Sequence, residues 1–222
     1  MKSALIKLSI LLSCFFFTAS SPSWAEDDFQ YWSRYQIKAY ENKHIKLQSM
    51  NELRVTQDGS DIGYWFTREQ LIFKFIKKIP VGINYVFAQG RNNTKYTNEH
   101  RVEFDLMPKF PINDYLTITN RNKLEFRWLE NREGVQNRFR QRWGIDIAIE
   151  KIPFIKKIYA DTEYFINFDS GEFDQNRLIP AAIVLPCFDN ADLRIFYMIQ
   201  HVKRNNNWSS NEIVGTQLSI SL

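Results

Sequence analysis

Apolar and polar side chains alternate with period two along most of this chain, and that alternation restricts the fold more than any other feature. Ile45, Leu47, Leu53 and Val55 are interleaved with Lys46, Gln48, Glu52 and Arg54. Val102, Phe104 and Leu106 alternate with Arg101, Glu103 and Asp105, and Leu124, Phe126 and Trp128 oppose Lys123, Glu125 and Arg127. Phe139, Trp143, Ile145 and Ile147 oppose Arg138, Arg140, Arg142 and Asp146. The sequence closes with Val214, Thr216, Leu218, Ile220 and Leu222 on one face. Successive side chains of a strand point to opposite faces, so each segment is a strand with one apolar and one polar side. Helical periodicity is nearly absent. Turn-forming clusters separate the segments in two alternating sets. One set is polar, as in Asp58-Gly59-Ser60-Asp61 and Asn131-Arg132-Glu133-Gly134. The other is shorter and carries proline, as in Lys77-Lys78-Ile79-Pro80, Pro108-Lys109-Phe110-Pro111 and Lys151-Ile152-Pro153. This is the pattern of an all-β meander with short turns on one rim and polar loops on the other.

A soluble up-and-down barrel is apolar inside, and a membrane barrel is apolar outside. The segment lengths favour the membrane form: many reach about ten residues, and tilted membrane strands need about 9–11. Aromatic side chains gather toward strand ends, at Tyr31, Trp32, Tyr64, Trp65, Tyr115, Trp128, Tyr159 and Trp208, as interfacial girdles would require. Roughly eleven strands can be marked, and a bacterial barrel with both ends on one side needs an even number. The expectation is therefore an antiparallel up-and-down transmembrane β-barrel of about 12 strands, with ten as the next choice.

The first residues read as a secretion leader. Met1, Lys2 and Lys7 make a short basic region, Leu8 to Thr18 is apolar, and Ser23-Trp24-Ala25 supplies small residues at the cleavage positions. Residues 1–25 are expected to be removed, leaving one barrel domain over residues 26–222 in the bacterial outer membrane. Without Lys2 and Lys7, 27 basic side chains face 25 acidic ones, a near balance of interspersed signs that is no nucleic-acid footprint. Cys187 is the one cysteine past the leader, so no internal disulfide can form, and a small packing role is expected for it.

The charged faces are expected to line the lumen. The ladder comprises Glu52, Arg54, Arg101, Glu103, Arg121, Lys123, Glu125, Arg127, Arg138, Arg140, Arg142, Glu163 and Arg177, joined by Arg68 and Asp161. Opposite charges should pair across strands and fill a small barrel, or leave a narrow porin-like path for solutes or ions. Arg138, Arg140 and Arg142 project to one side and form the best anion-binding candidate. The competing reading pairs them with Glu125 and Glu163.

Several stretches carry a family resemblance. They include Thr119-Asn120-Arg121-Asn122-Lys123-Leu124-Glu125-Phe126-Arg127, Asn137-Arg138-Phe139-Arg140-Gln141-Arg142-Trp143, Asn176-Arg177 and the early Asp28-Phe29-Gln30-Tyr31-Trp32. With Asn51-Glu52-Leu53-Arg54, Tyr159, Glu163 and Phe165, these resemble the DUF2490 family of Gram-negative bacteria. The resemblance implies an outer-membrane barrel of unassigned activity, and it transfers no catalytic residue.

No nucleophile elbow, paired metal-ligand motif or phosphate-binding glycine loop is present, so no enzymatic activity, cofactor or metal is expected. His44, His100 and His201 are a weak basis for an outer-membrane lipid-modifying enzyme. A soluble periplasmic, lipocalin-like binding barrel is the other alternative. The expected partners are outer-membrane lipids, lipopolysaccharide and the barrel-assembly machinery, with no nucleic acid. The oligomeric state is open.

Overall fold

The computed structural model describes residues 28–222 apart from 77, 93–94 and 205–206. The expected leader and its cleavage site lie outside the described residues. The described chain is strands joined by turns: β1 (Asp28–Glu41), β2 (Ile45–Thr56), β3 (Asp61–Phe73), β4 (Val81–Asn92), β5 (Lys95–Leu106) and β6 (Lys109–Pro111). There follow β7 (Leu116–Leu129), β8 (Gln136–Ala148), β9 (Lys157–Asn167), β10 (Glu172–Phe188), β11 (Ala191–Arg204) and β12 (Asn207–Ser221).

The expected count of about 12 is met, and the way the sheet closes adds a feature that alternation does not reveal. Leu106 of β5 stands opposite Asn122 of β7, and Lys109 of β6 stands opposite Thr119 of the same strand. Pro108 lies between them. It has no N–H to continue the ladder, although its carbonyl still accepts the Asn120 N–H at 3.0 Å. The segment expected to be a turn at 108–111 therefore holds β6, a continuation of β5 along one edge of β7. Eleven strands close the barrel, β5 pairing with β7 and β1 with β12. An odd number cannot close in antiparallel fashion throughout, so β1 and β12 run parallel, from Asp28 opposite Asn211 to Lys38 opposite Ser221.

The two sets of connections occupy opposite rims, but the two longest, 74–80 and 149–156, belong to the proline-bearing set expected to be short. Both exceed 57–60 and 168–171, and each holds a tight turn. Ile79 N–H donates to the Ile76 carbonyl at 3.1 Å, and Ile155 N–H to that of Ile152 at 3.0 Å. Phe75, Ile76, Ile112, Phe154 and Phe188 stand exposed on this rim. On the other rim, Gln57, Asp58 and Gly59 turn through left-handed backbone at φ 54°, 53° and 80°. There the Phe29 N–H donates to the Asp58 carboxylate at 3.2 Å, which ties the turn to the start of β1.

The polarity of the wall is inverted relative to a soluble barrel. Gln48, Glu52, Asn84, Glu103, Asp105, Lys123, Glu125 and Glu163 are buried inside. Ile37, Leu47, Ile83, Phe104, Trp143, Ile145 and Ile195 are exposed outside. Polar groups on the outer face pair with one another. Ser49 Oγ donates to Glu69 at 2.7 Å, Asn122 donates to Asn120 at 2.6 Å, and Gln141 donates to Asn122 at 3.1 Å. Three aromatics expected in the outer girdles point inward instead. Trp32 is 0% exposed and packs with Tyr159, Ile179, Phe196, Met198 and Ile213, while Tyr64 lies against Met50, Phe66, Val86 and Ala88. Strand parity puts Trp32 on the face of Gln30 and Arg34, and parity overrides the interfacial preference of the residue type.

Candidate functional site: the barrel interior

The residues expected in the charge ladder all occupy the inner surface. Eleven of them line a cavity of about 730 Å³, and Lys123 and Glu125, both 0% exposed, are ion-paired behind it. Register makes direct cross-strand pairing impossible for many of them. Arg121 stands opposite Arg142, Lys123 opposite Arg140, Arg101 opposite Arg127 and Glu103 opposite Glu125. Like charges directly opposite are destabilising. The long side chains therefore lean diagonally, and four of the buried acids take two cations each. Glu125 accepts Arg138 and Arg140, both at 2.6 Å. Glu163 accepts Arg140 at 2.9 Å and also Arg121. Glu99 accepts Arg101 and Arg127, both at 2.5 Å, and Glu52 accepts Arg54 at 2.6 Å and also Arg34. Lys123 inverts the motif, binding Glu103 and lying 3.6 Å from Asp105.

The arginine comb divides. Arg138 and Arg140 pair with Glu125 and Glu163, as the competing reading had it. Arg142 has no carboxylate oxygen within 4.0 Å among the described residues, and the same holds for Arg68, Arg177 and Arg194. Aromatic faces stand in for acids at Arg177 and Arg194. The Arg177 guanidinium lies 5.0 Å from the Trp32 ring centroid and 4.8 Å from that of Phe165. Arg194 lies 4.4 Å from Tyr159 and 5.0 Å from Phe196. Such stacking stabilises a guanidinium but leaves its net charge in place.

The cavity is lined from Asp28 and Gln57 near one rim to Lys46 and Gln217 near the other. Thirteen basic and six acidic residues line it. The near balance of the whole chain thus hides a strongly positive interior. Arg34, Glu99 and Arg194 belong to this lining and were not singled out from the sequence. Their signal was present: Arg194 sits between Leu193 and Ile195 in the same alternation.

His100 shares a hydrogen bond of 2.7 Å with the Tyr85 hydroxyl on the outer face, and His201 stands opposite Ser210. No group of three or more His, Cys, Asp or Glu among the described residues could hold a metal ion. Cys187 is an exposed free thiol near the end of β10, not the packed side chain expected.

No curated protein matches the chain. A family described as a protein of unknown function, DUF2490, matches residues 29–211, a span that runs from the start of β1 into β12 and takes in the whole ladder. The chain therefore belongs to the DUF2490 family.

Proposed function

We propose that this protein is an outer-membrane β-barrel, exported by a cleaved leader, whose interior forms a narrow path that favours anions. The observation that carries the reading is the inverted wall, with charged side chains buried inside and isoleucine, leucine, phenylalanine and tryptophan exposed outside. Water-soluble monomers rarely expose contiguous apolar patches beyond a few hundred Å². Lipid is the solvent that such a belt fits, and strands of 11 to 17 residues around the barrel are long enough to cross it. The hydrogen bonds among outer polar groups support the same reading, because lipid offers them no partner. The cation excess along the cavity supports anion preference, since the sign of lining charge sets which ions enter.

Cell fractionation and gel mobility test the address. The protein should be recovered with the outer membrane and should migrate faster unheated than boiled. Recovery in the soluble periplasm, with mobility indifferent to heating, contradicts the reading and favours a soluble binding barrel. Planar bilayers test the path: small conductance steps with an anion-selective reversal potential are expected, and silent or cation-selective bilayers contradict it.

A further inference from the structure

We infer that the barrel interior holds a multivalent oxyanion between Arg34, Arg142 and Arg194. Arg194 carries the argument. Its Nε and Nη2 are buried without a hydrogen-bond partner, and its Nη1 makes only a 3.4 Å contact with Gln217 Oε1. Arg34 shares a ring with it, the two guanidinium carbons being 4.9 and 5.0 Å from the same Phe196 centroid, and both residues stand in register with Gln217 on the strand between them. That ring is fixed in place over Gly215, where an added Cβ would come within 2.1 Å of it. Arg34, Arg142 and Arg194 all line the same cavity. Arg142 in turn stands directly opposite Arg121 and has no ion pair.

The acids nearby do not neutralise this group. Glu52 is shared between Arg34 and Arg54, and Asp146 is held by Lys157 at 2.9 Å. Asp161 lines the same cavity with no ion pair within 4.0 Å among the described residues, so it offsets at most one of these charges. Three guanidinium groups, two of them without an ion pair among the described residues, thus line one cavity with room for a small anion.

The chemistry selects the ligand class. A guanidinium stacked on a ring presents its N–H groups in plane as a rigid fork. A tetrahedral oxyanion with two or more charges offers pairs of oxygens matched to such forks, whereas chloride offers a single point of charge. The ligand class is therefore phosphate, sulfate or a small phosphate ester. A barrel that does not conduct could hold the same anion, so this inference stands apart from the path proposed above.

The test uses the folded protein in detergent micelles, with sodium phosphate compared against sodium chloride at equal ionic strength. Phosphate should raise the midpoint of thermal unfolding saturably, by mass action on the native state. Calorimetric titration should report one site. Arg194→Gln should weaken phosphate binding by about tenfold or more, the loss of one bidentate charged contact. Its midpoint without phosphate should equal or exceed that of the parent, because an uncompensated buried charge has been removed. Arg142→Gln should behave in the same way and gives an independent reading if Arg194→Gln fails to fold. Lys156→Gln, on the exposed rim, should bind phosphate as the parent does. The inference is overturned if phosphate acts no differently from chloride, or if both arginine variants bind phosphate like the parent.

Discussion

Two sides of the barrel wall hold their charge in opposite ways. From β5 through β9, buried carboxylates are shared between cations: Glu99, Glu125 and Glu163 each take two arginines, and Glu103 and Asp105 flank Lys123. From β10 through β12, the charged residues lining the cavity are Arg177 and Arg194, and no carboxylate joins them. Gln175, Gln200, Asn211 and Gln217 take the polar positions there, and aromatic rings receive the guanidinium faces. The difference separates two uses of arginine. On the acid-bearing side it is mostly a structural tie that fills the lumen, Arg142 of β8 being the exception. On the acid-poor side it remains available to something that enters.

Substitutions on the two sides should therefore differ in size and sign. Glu125→Gln leaves the buried Arg138 without its acid and Arg140 with Glu163 alone, and should lower stability by about 3–5 kcal/mol, read from the urea midpoint of the folded barrel. An unchanged midpoint would mean that the acid-bearing side is not held by its ion pairs. Gly215→Val tests packing on the acid-poor side, where the Phe196 ring occupies the space above the glycine. Overpacking should cost about 1–3 kcal/mol in the same measurement. Arg194→Met should have the smallest effect and the opposite sign. With phosphate absent it should raise stability by about 1 kcal/mol, because buried N–H groups without partners are removed. A loss as large as that of Glu125→Gln would erase the distinction between the two sides.

Much of this was legible in the sequence because strand parity is a local property. Alternation through Arg121, Lys123, Glu125 and Arg127 is enough to put those four on one face, and the same rule extends to Arg138 through Arg142. What pairs with what is not local. Arg121 opposite Arg142 and Glu103 opposite Glu125 follow from register, and register depends on how each hairpin closes. The diagonal sharing of acids, and the arginines that sharing leaves over, were hidden for that reason. Pro108 misled in a related way, and Pro180 shows the same tolerance. Both look like strand breakers, yet β5 and β6 continue past the first, and β10 absorbs the second by register shifts near Leu178 and Ile179. Trp32 was assigned to an outer girdle by residue type when its own parity pointed inward.

Tryptophan position offers the most direct test of the inverted wall. Trp143 lies on the outer face in mid-β8 and is 43% exposed, whereas Trp32 is fully enclosed among Arg54, Arg177 and the inner apolar cluster. Two single-tryptophan proteins, each folded into vesicles whose acyl chains carry bromine, separate the two sites by fluorescence. Strong quenching at Trp143 with little at Trp32 is the predicted result. Trp143 left unquenched, or Trp32 quenched as strongly, would contradict a barrel that turns its apolar face to lipid and its charge inward.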